Sequence, residues 1–252
     1  MIPLLKTHLS EREKSYVSSP ELHIAATPEL AASECARHIL SLLAEKETAM
    51  FAISGGSTPK LLFADLARAA FDWSRVHIFW VDERCVPPDS PDSNYRLAHE
   101  TLLGPAHIPE QNIHRIEGEL EPAEAASRYV AAIKTTFQLK EGELPVFDVL
   151  HRGMGADAHT ASLFPGTPLV NDRSGIATNV WVKKMKMDRV TLLPGVLLAA
   201  KHTVLQVAGA DKAEPLRKVL REQEDFAKYP CQIASRDERA AWFLDKAAAA
   251  QL

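Results

Sequence analysis

The sequence is short of cysteine, has no strong charge of either sign and contains no long apolar run. Its three cysteines, Cys35, Cys85 and Cys231, stand far apart, and there is no CxxC pair. An odd, scattered set fits reduced thiols in a cytoplasmic setting better than a disulfide framework. For Cys85, a small filler residue is the plainer reading and a reactive thiol the other. The net charge is -4, whereas a nucleic-acid surface is generally basic, so no nucleic-acid partner is expected. A local cationic pocket for an anionic ligand stays open. No apolar stretch approaches the roughly 20 residues that a membrane helix needs. Residues 1–10 hold Lys6 and a Leu4-Leu5 pair but no cationic start followed by an apolar stretch. No secretory signal and no membrane partner are therefore expected. Internal repeats and low-complexity linkers are also missing.

What is present is an ordinary globular composition, 46% hydrophobic and 25% charged over 252 residues. The polar stretch at 10–20, with Glu11, Arg12, Glu13 and Lys14, reads as the loosely held part of an N-terminal arm spanning 1–20. Residues 21–252 read as one α/β domain. Apolar or β-branched runs predict strands at 22–26, 50–53, 76–81, 147–150, 202–207 and 241–244, with weaker candidates at 180–182 and 189–192. Helical spacing and proline starts predict helices at 28–46, 59–70, 94–103, 123–137 and 212–220, a helix end at 197–200 and a helical alanine-rich tail. Alternating strands and helices imply a mainly parallel sheet covered on both faces. Ligands of such sheets bind outside the carboxyl ends of the strands.

Four strand ends carry unusual residues. Ser54-Gly55-Gly56-Ser57-Thr58-Pro59-Lys60 joins a strand to a helix. Its glycines permit close backbone approach, and its free N–H groups and hydroxyls suit an anion at a helix start. A plain glycine turn with a serine cap is the simpler alternative. Trp80-Val81-Asp82-Glu83-Arg84, followed by Ser93-Asn94-Tyr95, sets two carboxylates and an arginine at a strand end. Arg84 could hold an oxyanion through its fork of donors, and Asp82 a hydroxyl or a base; a salt-bridged loop is the alternative. Gly153-Met154-Gly155-Ala156-Asp157-Ala158-His159 places Asp157 two residues before His159. Histidine is the usual general base, and Asp157 could fix its tautomer. In Gly209-Ala210-Asp211-Lys212-Ala213, Asp211 could cap a helix and Lys212 reach a phosphate, or remain a solvated lysine.

Taken together and in this order, these segments resemble the 6-phosphogluconolactonase family. SGGSTPK at 54–60, WVDER at 80–84 with SNY at 93–95, and GMGADAHTASLFPG at 153–166 carry the likeness, with Arg189-Val190-Thr191 and GADKA at 209–213. The resemblance runs from about residue 21 to the C-terminus. It implies a Rossmann-like three-layer α/β/α sandwich, shared with glucosamine-6-phosphate deaminases, and no metal or organic cofactor. It implies hydrolysis of a phosphorylated sugar lactone, 6-phospho-D-glucono-1,5-lactone, with His159 activating water. Ser54, Gly55, Gly56, Ser57, Thr58, Arg84 and Lys212 would hold the phosphate, helped by Arg189, while Asp82 and Asp157 position substrate or histidine.

The chain departs from that family in two places. Asp157-Ala158-His159 stands where the family usually has Asp-Gly-His, and we expect Ala158 at negative φ, where alanine is harmless. His151 and Arg152 replace residues that are usually apolar, and Arg152 is expected to reach the crevice mouth as another anion ligand. Two further functions compete. A deaminase-like isomerase typically has Asn-Glu-Pro where this chain has Leu163-Phe164-Pro165, and so would lack its carboxylate here. A non-catalytic sugar-phosphate binder would account for Ala158 and Arg152. No dinucleotide fingerprint follows a strand, which disfavours a nicotinamide dehydrogenase.

Overall fold

The computed structural model describes residues 19–252. Of the arm expected at 1–20, all but Ser19 and Pro20 lies outside the described residues. The elements run β1 (Glu21–Ala25), α1 (Pro28–Ala44), β2 (Ala49–Ile53), α2 (Pro59–Arg68), β3 (Val76–Trp80), β4 (Asp82–Arg84), α3 (Asn94–Ala98) and β5 (Ile113–His114). They continue with α4 (Pro122–Phe137), β6 (Val149–Arg152), β7 (Ala177–Val182), β8 (Met187–Leu192), α5 (Pro194–Ala199), β9 (His202–Val207), α6 (Ala213–Arg221) and β10 (Ala240–Asp245).

Seven strands form one sheet in the order β1-β10-β9-β6-β2-β3-β5. Every recorded pairing in it is parallel. Parallel strands are buried on both faces, which is why β2, β3 and β10 read as almost continuous apolar runs. Alternate residues of β10 show the two faces. Ala241 and Phe243 join the larger core with α1, α2 and α4, whereas Ala240, Trp242 and Leu244 join a smaller one with Leu216 and Val219 of α6. This is the three-layer α/β/α sandwich that the resemblance implies. Thr27 starts α1 by accepting from the Leu30 N–H at 3.3 Å, with Pro28 in the first turn.

Two features of the sequence reading change. The weak strand candidates near 180 and 189 are a full antiparallel hairpin, which joins β4 in a separate three-stranded sheet, β4-β8-β7. A hairpin with one solvated face alternates polar and apolar residues and lacks the apolar run that marks a central strand. The alanine-rich tail after β10 is turns rather than helix. About seven residues are too few to sustain a helix without tertiary support.

The strand order puts the switch point between β2 and β6. From there the chain runs outward to β3 on one side and to β9 and β10 on the other, so the loops leaving β2 and β6 diverge and open a crevice. The polar residues of β6 do not face that crevice. Arg152 is fully buried, donating to Thr160 Oγ1 at 3.1 Å, to Ala234 O at 3.1 Å and to Ile233 O. It is therefore not the anion ligand at the crevice mouth that the sequence suggested. The apolar layer it enters offers carbonyls and a hydroxyl, which take up both Nη groups in place of water and leave Nε without a partner among the described residues.

His151 is also fully buried, edge-on to Phe63, with neither ring nitrogen partnered among the described residues. Desolvation pushes its pKa down to about 3. The native ring thus stays neutral, while the unfolded chain takes up a proton below an ordinary histidine value of about 6.5. Its contribution to stability is full above that value and drains away as pH falls toward 3. We predict that His151→Leu raises the urea midpoint near neutrality, by removing unpartnered nitrogens that cost about 1–3 kcal/mol. It should also lessen the fall in midpoint between about pH 7 and pH 4. Equal falls in both proteins would show that His151 is not a source of the acid sensitivity.

Candidate active site

The loops after β2, β3, β6 and β9 converge on one crevice of about 330 Å³. Of the residues singled out in the sequence, Ser54, Gly55, Gly56, Ser57, Thr58, Asp82, Arg84, His159, Arg189 and Lys212 all line it. Asp157 does not. It stands behind His159, in the wall of a neighbouring groove. The lining also includes Asn94, Thr160 and Gln206, which the sequence reading did not pick out. Asn94 lay inside a quoted motif and could have been named. Gln206 sits in an apolar strand, and a single buried amide there was the available signal.

The 54–58 loop is held open by its glycines. Gly56 has φ +107°, a left-handed conformation that glycine adopts without strain. A Cβ on Gly55 would fall 2.0 Å from Asn94 Oδ1. The N–H groups of Gly55 and Gly56 make no hydrogen bond among the described residues, so they stay available to a ligand. Asn94 is fixed in turn by Glu83. That buried carboxylate accepts from the N–H groups of Arg84, Asn94 and Tyr95 and from Ser93 Oγ, at 2.7–3.1 Å. The second acid of WVDER is thus committed to holding the start of α3. Tyr129 secures the same region, its hydroxyl donating to Trp80 O at 2.6 Å and accepting from Trp80 N at 2.9 Å.

Asp82 is buried at the crossing of three segments. Its Oδ2 accepts from Ser162 Oγ at 2.7 Å and lies 3.6 Å from Arg189 Nη1. Burial pulls the Arg189 guanidinium below its ordinary value, and Asp82 opposes that. Arg189 lies directly across from Arg84 in the β4–β8 register. Lys212 closes the other side. It precedes α6 and pairs with Asp211 at 2.9 Å. Asp211 makes no side-chain cap to α6, contrary to its expected role. Cys85, half-buried with its thiol pushed up to about 11 by burial, fits the filler reading. No three His, Cys, Asp or Glu side chains come together as a metal-binding group among the described residues.

His159 Nδ1 lies 2.5 Å from Asp157 Oδ1. This hydrogen bond holds Asp157 well below the usual carboxylate range, so the residue stays an acceptor. In the neutral tautomer whose Nδ1–H donates to this carboxylate, Nε2 carries the lone pair. Phe164 stacks on the imidazole at 4.2 Å between centroids, and Lys184 Nζ approaches the other Asp157 oxygen at 3.3 Å. Ala158 between the two has φ +61°, which overturns the expected negative φ. The departure costs about 1–2 kcal/mol. Its methyl, however, is buried in the smaller core with Met154, Leu205 and Cys231, and Ala158 does not line the crevice. That burial returns about 0.8 kcal/mol, and glycine would add chain entropy of roughly 0.5–1 kcal/mol to be lost on folding. The terms nearly cancel, so alanine is tolerated despite its conformation.

Gly155 has no such latitude. A Cβ there would sit 2.0 Å from His159 Nδ1 and 2.8 Å from Asp157 Oδ1. We predict that Gly155→Ala displaces the imidazole and lowers turnover by on the order of 10², as a shift of about 1 Å can. Circular dichroism and the melting temperature should stay close to those of the parent. Undiminished turnover would show that the pair tolerates displacement.

Comparison with known proteins places this architecture. The family described as glucosamine-6-phosphate isomerases/6-phosphogluconolactonase matches residues 25–242. A 6-phosphogluconolactonase of Synechocystis sp. is 38% identical over 217 residues, 85% of this chain and 89% of its own. One of Nostoc sp. is 39% identical over 202 residues, 80% of this chain and 83% of its own. The solved structure of 6-phosphogluconolactonase from Trypanosoma brucei superposes with a TM-score of 0.81 at 27% identity, covering 93% of this chain and 99% of that one. The matched residues include the whole small sheet and every loop of the crevice, and this chain is a member of the glucosamine-6-phosphate isomerase/6-phosphogluconolactonase family.

Proposed function

We propose that the protein hydrolyses 6-phospho-D-glucono-1,5-lactone to 6-phospho-D-gluconate in the oxidative pentose phosphate pathway, with His159 as general base. The observation that carries this reading is the Asp157–His159 pair, set at the rim of a crevice that holds Arg84, Arg189 and Lys212. His159 Nε2 takes a proton from water as the oxygen attacks the lactone carbonyl. A tetrahedral intermediate forms, the bond from the carbonyl carbon to the ring oxygen breaks, and that oxygen leaves with a proton to give the open acid. A lactone is an activated ester, so one base and a few oriented donors suffice. The cationic groups and the open N–H groups of the 54–58 loop give the phosphate its place. Asp82 positions Arg189 rather than touching the reacting atoms. Phe164 supports this reading over a deaminase-like one, because it stacks on the imidazole where a carboxylate would have to stand. The free thiols Cys35, Cys85 and Cys231 suit a reducing, cytoplasmic setting.

His159→Gln should lose about 10²–10⁴ in rate while keeping the fold. Acid release by purified protein, corrected for spontaneous lactone hydrolysis, measures this. A rate equal to the parent's would rule out His159 as the base. Arg84→Ala should weaken use of the phosphorylated lactone by roughly tenfold or more and affect an unphosphorylated lactone much less, since a charged hydrogen bond contributes about 1.5–3 kcal/mol. Equal losses on both substrates would point to a structural or carbonyl-stabilising role instead.

A further inference from the structure

Arg152 is a buried cation that the mechanism above does not use. It is fully buried, its Nε has no partner, and no carboxylate pairs with it among the described residues. Burying a charge without a counter-ion costs several kcal/mol, so its retention calls for a reason. Its donors identify one. Nη1 donates to Thr160 Oγ1 at 3.1 Å, and Thr160 Oγ1 in turn donates to Gly153 O at 2.9 Å. Nη2 donates to the carbonyls of Ile233 and Ala234. The guanidinium therefore joins the loop that carries His159 to the segment packed beneath it.

Both segments are conformationally strained where it joins them. Ala158 and Ala161, on either side of His159 and Thr160, have φ +61° and +51°, and Ala234 has φ +49°. Each left-handed alanine costs about 1–2 kcal/mol. Cys231 adds to the join, its N–H donating to Ala158 O at 2.9 Å and its thiol lying against Thr160. Without the arginine, the loop from 157 to 161 could relax toward ordinary φ values and carry the imidazole away from the crevice.

We propose that Arg152 is a positioning residue that clamps the His159 loop in its strained, active shape. The proposal rests on His159 being the base. The fork of the guanidinium is what reaches two segments at once, and an ammonium would hold only one of them.

The test uses Arg152→Leu and Arg152→Lys with two independent readouts. One is kcat and KM for lactone hydrolysis, and the other is amide hydrogen exchange at residues 155–161. Arg152→Leu should lower kcat at least about tenfold with KM changed less than about threefold, because the phosphate ligands are untouched. Exchange at 158–161 should accelerate. Arg152→Lys should fall between the two proteins, and it carries the test alone if the leucine variant fails to fold. Parent-like kcat and parent-like exchange in the folded variants would overturn the clamp. If exchange accelerates but His159→Gln is fully active, the clamp stands and the base assignment fails. If His159→Gln is inactive while the folded Arg152 variants keep full kcat, the clamp fails and the base stands.

Discussion

Asp82 is the knot of the structure. A single buried carboxylate accepts from Ser162 in the segment that follows His159, faces Arg189 from the small sheet, and itself begins the strand that leaves the main sheet. Main-chain bonds reinforce the crossing, with Val81 N donating to Ile53 O and Leu192 N to Val81 O at 2.8 Å each. The crevice has Arg84 and Arg189 on one wall and His159 on another, in fixed relation. That relation is set by a few short polar contacts among segments about 80 and 110 residues apart in the chain. A rigid parallel sheet holds the four strand ends, and the knot fixes what is built upon them.

Much of this was legible in the sequence, for a physical reason. Strands buried on both faces must be apolar, so their polar residues are pushed to the carboxyl ends, where glycine loops and charged side chains stand out against the runs before them. That is how Ser54 to Thr58, Arg84, His159 and Lys212 could be set on one crevice before any contact was known. The three-layer architecture and the family follow from the same motifs, and the comparisons agree with both.

The hidden part has a common cause as well. Whether a polar residue at a strand end turns outward or inward depends on partners distant in the chain. Arg152 reads as a crevice ligand because a parallel strand buried on both faces normally stays apolar. Two of its actual partners, Ile233 and Ala234, come from 81 and 82 residues later in the chain. Ala158 was expected at negative φ, since nothing local reveals that Cys231 holds its carbonyl from the other side. The small antiparallel sheet was visible only as two weak strands, because each half buries one face and the third member is three residues long.

Arg84 and Arg189 stand directly opposite one another across β4 and β8, and like charges in that position repel. Asp82, beside Arg189, acts on that guanidinium more strongly than Arg84 does, and Glu83 adds to the attraction. These acids let two cations stand side by side on one short stretch of the small sheet. Linkage then runs in both directions. An anion bound between the arginines would tighten the β4–β8 pairing and add to folding stability by mass action. Anything that splays the two strands weakens the anion's hold. Anion capture and the cohesion of this sheet would then be one equilibrium seen from two sides, and ionic strength would act on both through the same pair of charges.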